Sequence, residues 1–343
     1  MPPFHMALSL REKVACLGNG DLYSDAPATV EAVETHMSWV FLTRPYAWKL
    51  KKPVRYSFLD YSTLAARRFY CEEEVRINCR LAQRIYIGTA ALTVDTSGKA
   101  QINGGSDVVD YLVQMIRLPH DNMLDRMIQA GPVPVDAVRA AADLLARFYA
   151  NAPPAGVAPS DHMARLRQSV RENTEELASP RFGLPLTLIR EVAAAQTSFI
   201  TRHEDLLQDR VRRGRVIEAH GDLRPEHICI GPEPAIIDCL EFNRAFRILD
   251  TAEELSYLAI ECQRLGNSGL ADVFVDAYMR ETRDAPAPAL LAFYRSLHAC
   301  LRAKIAIWHT LEPNRHEPAY WRQKALAYLE LADANNWPQA RSL

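Results

Sequence analysis

The chain has 343 residues and a formal net charge of −2, with charged residues at 24% and hydrophobic residues at 48%. This composition is typical of a globular protein large enough for two lobes, and the near-neutral charge argues against a nucleic-acid partner. Seven cysteines without a Cys-x-x-Cys pair argue against a disulfide framework or a zinc ribbon. Residues 1–20 lack an apolar signal core and no apolar run reaches membrane length, so we expect a cytoplasmic protein without a membrane partner.

The first third of the chain predicts a small antiparallel sheet accompanied by one long helix. Strand segments alternate apolar and polar residues and are joined by short turns, whereas the helical segment has neither glycine nor proline. The elements are predicted at residues 8–17 (short helix), 37–42 and 46–51 (hairpin), 59–81 (long helix), and 85–94 and 108–118 (further strands). Pro119 follows the last strand, and we predict a lobe boundary at this point.

The remainder of the chain predicts a mainly helical lobe with three short β segments. Asp250 followed by Glu253 forms a capping-box pattern that begins one helix, and Gly266 ends it. Four arginines between 210 and 215 lie at a predicted helix end, where cations favour the helix dipole. Helices are predicted at residues 137–150, 186–210, 251–264, 270–282, 287–311 and 317–334, and β segments at 215–219, 228–230 and 235–240.

The most informative motif is His220-Gly221-Asp222-Leu223-Arg224-Pro225-Glu226-His227, and Asp238 follows it by eleven residues. Asp222 lies in a loop after a short β segment, and Asp238 lies on the next apolar strand. Two carboxylates with this spacing suit metal-assisted phosphoryl transfer, because one can orient an attacking hydroxyl while the other holds Mg²⁺ on nucleotide phosphates.

Residues 220–227 resemble the catalytic loop of protein kinases and of aminoglycoside phosphotransferase-like small-molecule kinases. The resemblance implies an α+β, bilobal protein kinase-like fold, with a nucleotide-binding N-lobe over residues 1–118. A C-lobe over residues 119–343 would carry the catalytic loop and the acceptor site. Residues 35–40 and 220–227 look most similar to an uncharacterised bacterial branch of phosphotransferase-like proteins. Some members also carry a P-loop ATPase domain, but the chain lacks that loop motif, so we expect the kinase-like module alone.

The resemblance also implies catalytic and metal-binding roles. Asp222 would accept or orient the substrate hydroxyl, Arg224 would stabilise charge on the transferred phosphate, and Asp238 would hold Mg²⁺. His227 stands where such families usually have asparagine. Three interpretations stay open for His227: it binds a metal such as Mn²⁺, it contacts phosphate as a cation, or it only packs.

A nucleotide-anchoring lysine is expected on the third strand of the N-lobe. Tyr46-Ala47-Trp48-Lys49 parallels the Val-Ala-Ile-Lys pattern of kinases, and Lys51 is the second candidate because side chains two residues apart share a strand face. Its carboxylate partner should come from the long helix. We choose Glu74, with Glu73 close behind, because Ile77 and Leu81 would anchor that helix face to the core.

Two further segments are candidates for nucleotide binding. The turn between the first two strands lacks glycine, so hydroxyl groups of Thr35 and Ser38 are expected to help bind phosphate. Residues 111–117, which include Met115, resemble the hinge whose backbone would receive adenine.

The sequence therefore predicts an ATP- or GTP-dependent phosphotransferase that uses Mg²⁺ or Mn²⁺ and acts on a hydroxyl of a small molecule. The alternative is a pseudokinase that binds nucleotide or a protein partner without transfer, which His227 and the glycine-free turn favour. A third interpretation is nucleotidyl transfer on a kinase fold. Four acids of the helix after residue 249 could form an acidic wall for a polycationic acceptor: Asp250, Glu253, Glu254 and Glu261. Acids in the first turn of a helix are also expected simply because they favour the helix dipole.

Overall fold

A computed structural model describes residues 8–105, 107–311 and 316–333. The start of the 1–20 segment and the last residue of the helix predicted at 317–334 lie outside the described residues. The strands are β1 (Glu31–Glu34), β2 (Ser38–Leu42), β3 (Tyr46–Lys51), β4 (Arg55–Tyr56), β5 (Leu59–Asp60), β6 (Tyr86–Val94), β7 (Ala100–Ile102), β8 (Asp107–Ile116), β9 (Val216–Glu218), β10 (Ile228–Cys229), β11 (Ala235–Ile236) and β12 (Ile248–Asp250). The helices are α1 (Leu10–Leu17), α2 (Leu64–Ala82), α3 (Leu124–Ala130), α4 (Val135–Asn151), α5 (Pro159–Leu177), α6 (Leu186–Arg202), α7 (Glu204–Arg212), α8 (Thr251–Arg264), α9 (Gly269–Thr282), α10 (Pro288–Trp308) and α11 (Pro318–Ala332).

The chain forms two compact units. The first holds the residues up to Arg126 together with His227–Ala245, and the second holds Met127–Glu226 together with the residues from Phe246 onward. The lobe boundary predicted at residues 118 and 119 stays a prediction. The curled sheet of the first unit and the mostly helical second unit confirm the predicted α+β class.

The first unit contains an antiparallel sheet with the strand order β1-β2-β3-β8-β6-β7. Alternation along β3 gives this sheet two different faces. Trp48 and Leu50 pack with Leu17 of α1, whereas Ala47 packs with Cys71 of α2. Side chains two residues apart share a face, so Ala47, Lys49 and Lys51 all point towards the α2 side.

The long helix α2 begins five residues later than predicted. The Thr63 side chain accepts a hydrogen bond from the backbone of Ala66 and caps the helix, and Leu59–Asp60 instead forms strand β5 against β4. The prediction missed this start because apolar periodicity continues through the short hairpin, whereas the cap determines where the helix begins.

The second unit departs from the predictions at several points, and helix α5 (Pro159–Leu177) was not predicted at all. The helix predicted over residues 186–210 is two helices, because the backbone of His203 leaves the helical region between α6 and α7. Asp250 caps α8 as predicted, by accepting from the backbone of Ala252, but Glu253 does not complete a capping box. Its carboxylate accepts hydrogen bonds from Arg165, because Glu253 is buried beside that guanidinium.

The cysteines and the hydropathy of the helices bear on the class of protein. All seven cysteines are free thiols, five of them buried, as expected for a chain without a disulfide framework. Within the described ranges, no helix is both long and apolar enough to cross a membrane.

Candidate active site

Lys49 lies at the centre of the charged groups of the first unit. Its Nζ atom is 2.9 Å from Glu74 Oε1 and 2.6 Å from Asp238 Oδ1. Burial opposes the charge on this lysine, but the carboxylates of Asp238 and Glu74 outweigh it and raise its pKa well above the usual value. Lys49 is therefore a fixed cation that joins the helix carboxylate to the strand-end carboxylate.

Lys51 shares the same helix carboxylate and is fully buried. Its Nζ atom is 2.5 Å from Glu74 Oε2, and it also donates to the carboxylate of Glu241. The Tyr61 hydroxyl donates to the same Glu241 oxygen. The sequence analysis weighed Lys51 as an alternative to Lys49, whereas the structure brings both lysines to Glu74. It missed Glu241, whose only signal is an acid three residues after Asp238.

The three consecutive acids of α2 have different surroundings. Glu74 is fully buried against the two lysines, whereas the exposed Glu72 pairs with Arg68 and the half-buried Glu73 pairs with the exposed Arg76. Of the two residues considered as lysine partners, the structure therefore places Glu74, and not Glu73, beside Lys49.

Asp238 follows β11 in a left-handed conformation, with φ of 63°. Aspartate tolerates this region better than most residues because its short polar side chain can bond locally. The backbone N–H of Asp238 donates to the Tyr86 hydroxyl at 3.1 Å, which supports this conformation. The Nε2 atom of His227 is 3.5 Å from Asp238 Oδ2, so the two candidate metal ligands are adjacent.

Asn78 connects α2 to the residue after Asp238. Its Nδ2 group donates to the backbone carbonyl of Glu74 at 2.9 Å, and its Oδ1 atom accepts from the backbone of Cys239 at 2.8 Å. Asn78 is fully buried. The sequence analysis missed this residue, and its only signal is the position one helical turn after Glu74.

The donor atoms around Asp238 fit a metal that arrives with a nucleotide. Across the described part of the chain, no group of three or more His, Cys, Asp or Glu side chains is arranged to hold a metal ion. Mg²⁺ in nucleotide sites commonly takes one or two protein ligands and fills its shell with phosphate oxygens and water. The Asp238 carboxylate would suit Mg²⁺ as such a ligand, whereas the neighbouring His227 nitrogen would suit Mn²⁺ better.

Ser38 and Met115 occupy buried positions at strand ends. The Thr35 hydroxyl donates to the Ser38 carbonyl at 2.9 Å and accepts from the Ser38 N–H at 3.0 Å, so it forms part of the turn that joins β1 to β2. Met115 pairs in register with Ala47 and packs in one apolar cluster with Val40 and Ala47. Nucleotide binding by Ser38 and Met115 stays a prediction.

Asp222 in the second unit is held by two side chains. Its Oδ1 atom accepts from the Tyr257 hydroxyl at 2.8 Å, and its Oδ2 atom accepts from Arg224 at 3.0 Å. Burial opposes the charge on Arg224, but Asp222 and Tyr257 raise its pKa, so it stays cationic. The Asp222 side chain is 27% exposed, so this oriented carboxylate remains accessible to a substrate.

The loop before Asp222 is fixed by Glu254 of α8. One oxygen of this buried carboxylate accepts from the backbone N–H groups of His220 and Gly221, at 2.8 and 2.6 Å. The other oxygen accepts from the Tyr149 hydroxyl at 2.7 Å. Gly221 adopts φ of 88°, which glycine tolerates best. Glu254 therefore positions the loop that carries Asp222.

The four acids proposed as an acidic wall do not form one. Each is at most 1% exposed and is engaged within the second unit: Asp250 by Arg210, Glu253 by Arg165, Glu254 by the catalytic-loop backbone, and Glu261 by Arg302 and Arg264. This interpretation was wrong because charged residues in the first turns of a helix can point into the unit as well as into solvent.

No protein-family model matches the chain. It is 31% identical over 282 residues to the uncharacterized protein Rv2004c of Mycobacterium tuberculosis (strain ATCC 25618 / H37Rv). It is equally similar to the uncharacterized protein Mb2027c of Mycobacterium bovis. The match covers 80% of this chain and 54% of each relative, so the chain spans about half the length of the curated relatives it matches.

Two solved structures resemble the chain over nearly its whole length. The GDP complex of wild-type aminoglycoside 2'-phosphotransferase-IIIa has a TM-score of 0.56 at 14% identity and covers 96% of this chain and 100% of that chain. A choline kinase from Cryptosporidium parvum has a TM-score of 0.52 at 9% identity and covers 93% and 95%. The chain therefore has the protein kinase-like fold that these solved structures of an aminoglycoside phosphotransferase and a choline kinase also have, as residues 220–227 predicted.

Proposed function

We propose that the chain is a phosphotransferase that moves the γ-phosphoryl group of ATP or GTP to a hydroxyl of a small molecule. The observation that carries the proposal is the contact of Lys49 with both Glu74 and Asp238. A kinase needs a cation at the phosphates, a carboxylate that orients it and an acid that binds metal, and these three groups meet here. The GDP complex of the similar aminoglycoside phosphotransferase also supports nucleotide use.

In this mechanism the first unit binds the nucleotide. Lys49, oriented by Glu74, contacts the phosphates, and the apolar cluster around Ala47 and Met115 receives the base. Asp238 and His227 would hold Mg²⁺ or Mn²⁺, which supplies positive charge at the phosphate oxygens when bound. Lys51 and Glu241 complete the charge around Glu74 and so keep Lys49 in place.

Asp222 acts on the acceptor. Its carboxylate orients the hydroxyl and takes its proton as the hydroxyl oxygen bonds to the γ-phosphorus and the bond to the β-phosphate oxygen breaks. Tyr257 holds one carboxylate oxygen, and Arg224 donates to the other and adds positive charge for the transferred group. The products are a phosphate monoester and the nucleoside diphosphate.

The first experiment measures thermal stabilisation by ATP, GTP and ADP, each with Mg²⁺, Mn²⁺ or EDTA. A ligand that binds only the folded state at 100 times its dissociation constant adds about 2.7 kcal/mol of stability. We expect a metal-dependent shift for the wild type and for Glu73→Gln, which changes a neighbour of Glu74 whose carboxylate pairs with Arg76. The shift should be lost in Asp238→Asn. No shift with any combination would contradict the proposal.

A nucleotide-binding pseudokinase is the second candidate, and His227 beside Asp238 is the observation that favours it. The His227→Asn variant separates the two. A gain in Mg²⁺-dependent transfer would show that the histidine limits activity, whereas a loss with altered metal preference would show that it is a working ligand. Phosphorus NMR of the products tests the third interpretation, since nucleotidyl transfer releases pyrophosphate and not a nucleoside diphosphate.

A further inference from the structure

A group of cations lies near Asp222 within the second unit. We call Arg264, Arg302 and Lys324 the basic patch; they lie at the end of α8, on α10 and on α11. All three are partly accessible, with side-chain exposures of 24% for Arg264 and 12% for Arg302 and an intermediate value for Lys324. The sequence analysis assigned no role to them.

A single carboxylate is shared within the basic patch. Glu261 Oε1 accepts from Arg302 Nε at 2.7 Å and from the Tyr328 hydroxyl at 2.7 Å, and Glu261 Oε2 accepts from Arg264 Nε at 2.9 Å. Lys324 has no ion-pair partner among the described residues, and its Nζ atom lies 5.2 Å from the centre of the Trp321 ring. Two guanidinium groups therefore share one buried acid, and the Lys324 ammonium group adds a third positive charge that no carboxylate pairs among the described residues.

The patch adjoins the candidate catalytic acid. Tyr257, which donates to Asp222, lies one helical turn before Glu261 on α8. Arg302 donates to Glu261, and burial opposes its charge while Tyr257, Glu261, Tyr328 and Asp222 raise its pKa. Asp222 and the basic patch are thus connected through Tyr257 and Glu261, which lie on one face of α8.

Positive charge exceeds negative charge around this face. Burial lowers the pKa of Lys324, and the positive charges of Arg264 and Arg302 lower it further. Glu226, 3.5 Å from Arg264, is a second carboxylate near the patch. When Asp222 is reserved for the hydroxyl, Glu226 and Glu261 are the carboxylates that the described part of the chain places beside Arg224 and the three patch cations. A cationic acceptor would be repelled by these positive charges, whereas an anionic acceptor would reduce the repulsion among them.

We propose that the acceptor is a small hydroxyl compound that carries a phosphate or carboxylate group, which binds Arg302, Lys324 and Arg264 while its hydroxyl meets Asp222. This proposal rests on the proposed phosphotransferase function. Arginine forks and a lysine ammonium suit these oxyanions, and their partial burial strengthens the attraction relative to a fully hydrated surface.

Isothermal titration calorimetry of the full chain tests it with four probes: glycerol 3-phosphate, glycerate, glycerol and choline. We expect glycerol 3-phosphate or glycerate to bind at least tenfold more tightly than glycerol and choline, with affinity that falls as salt rises. Binding should weaken at least tenfold in Lys324→Gln and Arg302→Gln. Arg322→Gln changes an exposed residue of α11, the helix that also carries Lys324, and it should leave the affinity unchanged. Thermal unfolding of each variant verifies folding, and Lys324→Gln removes no ion pair that the structure describes.

Parallel nucleotide titrations separate this proposal from the proposed function. If nucleotide binds and neither anionic probe does, the anionic acceptor is wrong while nucleotide use stands. If an anionic probe binds and Lys324→Gln weakens it although no nucleotide binds, the patch is an anion site and the phosphotransferase proposal fails. Equal loss of anion affinity in Arg322→Gln would overturn the assignment to the patch.

Discussion

The charged clusters of the two units differ in burial. In the first unit Lys51 and Glu74 are fully buried, and their contacts form one chain of ion pairs from Glu241 to Asp238. In the second unit the Asp222 carboxylate keeps 27% of its surface exposed while Tyr257 and Arg224 orient it. Changes to the buried pair Lys51 and Glu74 should therefore appear mainly as lost stability, and changes around Asp222 mainly as lost activity.

The largest expected effect is that of Asp222→Asn on transfer. Loss of a positioned acid–base group lowers rates by about 10²–10⁴-fold. We expect a loss of this size in nucleoside diphosphate release with glycerol 3-phosphate as acceptor, with unchanged nucleotide affinity by calorimetry. Asp143→Asn, which changes a partly exposed carboxylate paired with Arg280, serves as control and should retain full activity. Retained turnover in Asp222→Asn would refute the assigned role.

The next effect is on stability. Lys51→Met leaves Glu74 and Glu241 buried with less compensating charge, and removal of one partner from a buried pair costs about 3–5 kcal/mol. Lys52→Met is a matched control one residue away, whose partner Glu34 is 47% exposed, and it should cost less than about 1 kcal/mol. Urea unfolding followed by tryptophan fluorescence gives both values. Similar losses of unfolding free energy in the two variants would contradict the expectation that burial makes the Lys51 ion pairs the more important for stability.

Burial should also affect stability in the second unit, and the pH dependence of unfolding tests this at His162. Burial and, next, the charge of Arg165 lower the pKa of His162 to about 4, from the ordinary value of 6.5. The folded state thus favours the neutral ring. Its contribution to stability is present above pH 6.5 and is lost as the pH falls towards 4.

Between pH 7 and pH 5 this loss amounts to about 2 kcal/mol. The drop in unfolding free energy over that interval should therefore be smaller by this amount in His162→Leu than in the wild type. His120→Gln, at an exposed histidine, should retain the wild-type drop. An unchanged drop in His162→Leu would show that other groups control acid unfolding.

The smallest effect concerns Tyr257. Tyr257→Phe removes one hydrogen bond to the Asp222 carboxylate, and a hydrogen bond to a charged group is worth about 1.5–3 kcal/mol. Because Arg224 still holds the other oxygen, we expect roughly tenfold lower kcat with nucleotide KM unchanged. Tyr294→Phe, which removes a hydrogen bond to the buried Asp250, should lower stability and leave kcat unchanged. An unaffected kcat in Tyr257→Phe would assign the orientation of Asp222 to Arg224.

The sequence predicted best where chemistry and periodicity agree. The loop around Asp222 specifies the kinase-like fold, and strand alternation predicts that Lys49 and Lys51 share a face. Glu241 could not be predicted, because it follows Asp238 in a segment without regular periodicity. The break at His203 was missed for a related reason, since apolar residues continue on both sides and neither glycine nor proline marks the kink.

The acids of α8 illustrate a different limit. Glu253, Glu254 and Glu261 have the composition of an exposed acidic surface, but each is buried against cations or backbone N–H groups. Their partners Arg165 and Arg302 come from α5 and α10, far away in the sequence. Sequence composition reveals such charges but not the tertiary contacts that neutralise them.

Asn78 couples the movement of α2 to that of Asp238. Its side-chain amide forms hydrogen bonds to the carbonyl of Glu74 on α2 and to the N–H of the residue that follows Asp238. Glu74 and Asp238, whose carboxylates both contact Lys49, are thereby linked through backbone hydrogen bonds as well as through the lysine. If α2 slides or rotates, the strand-end acid must move with it or break two buried hydrogen bonds. Lys49 and Asp238, the residues proposed to contact phosphate and metal, should therefore shift together with α2.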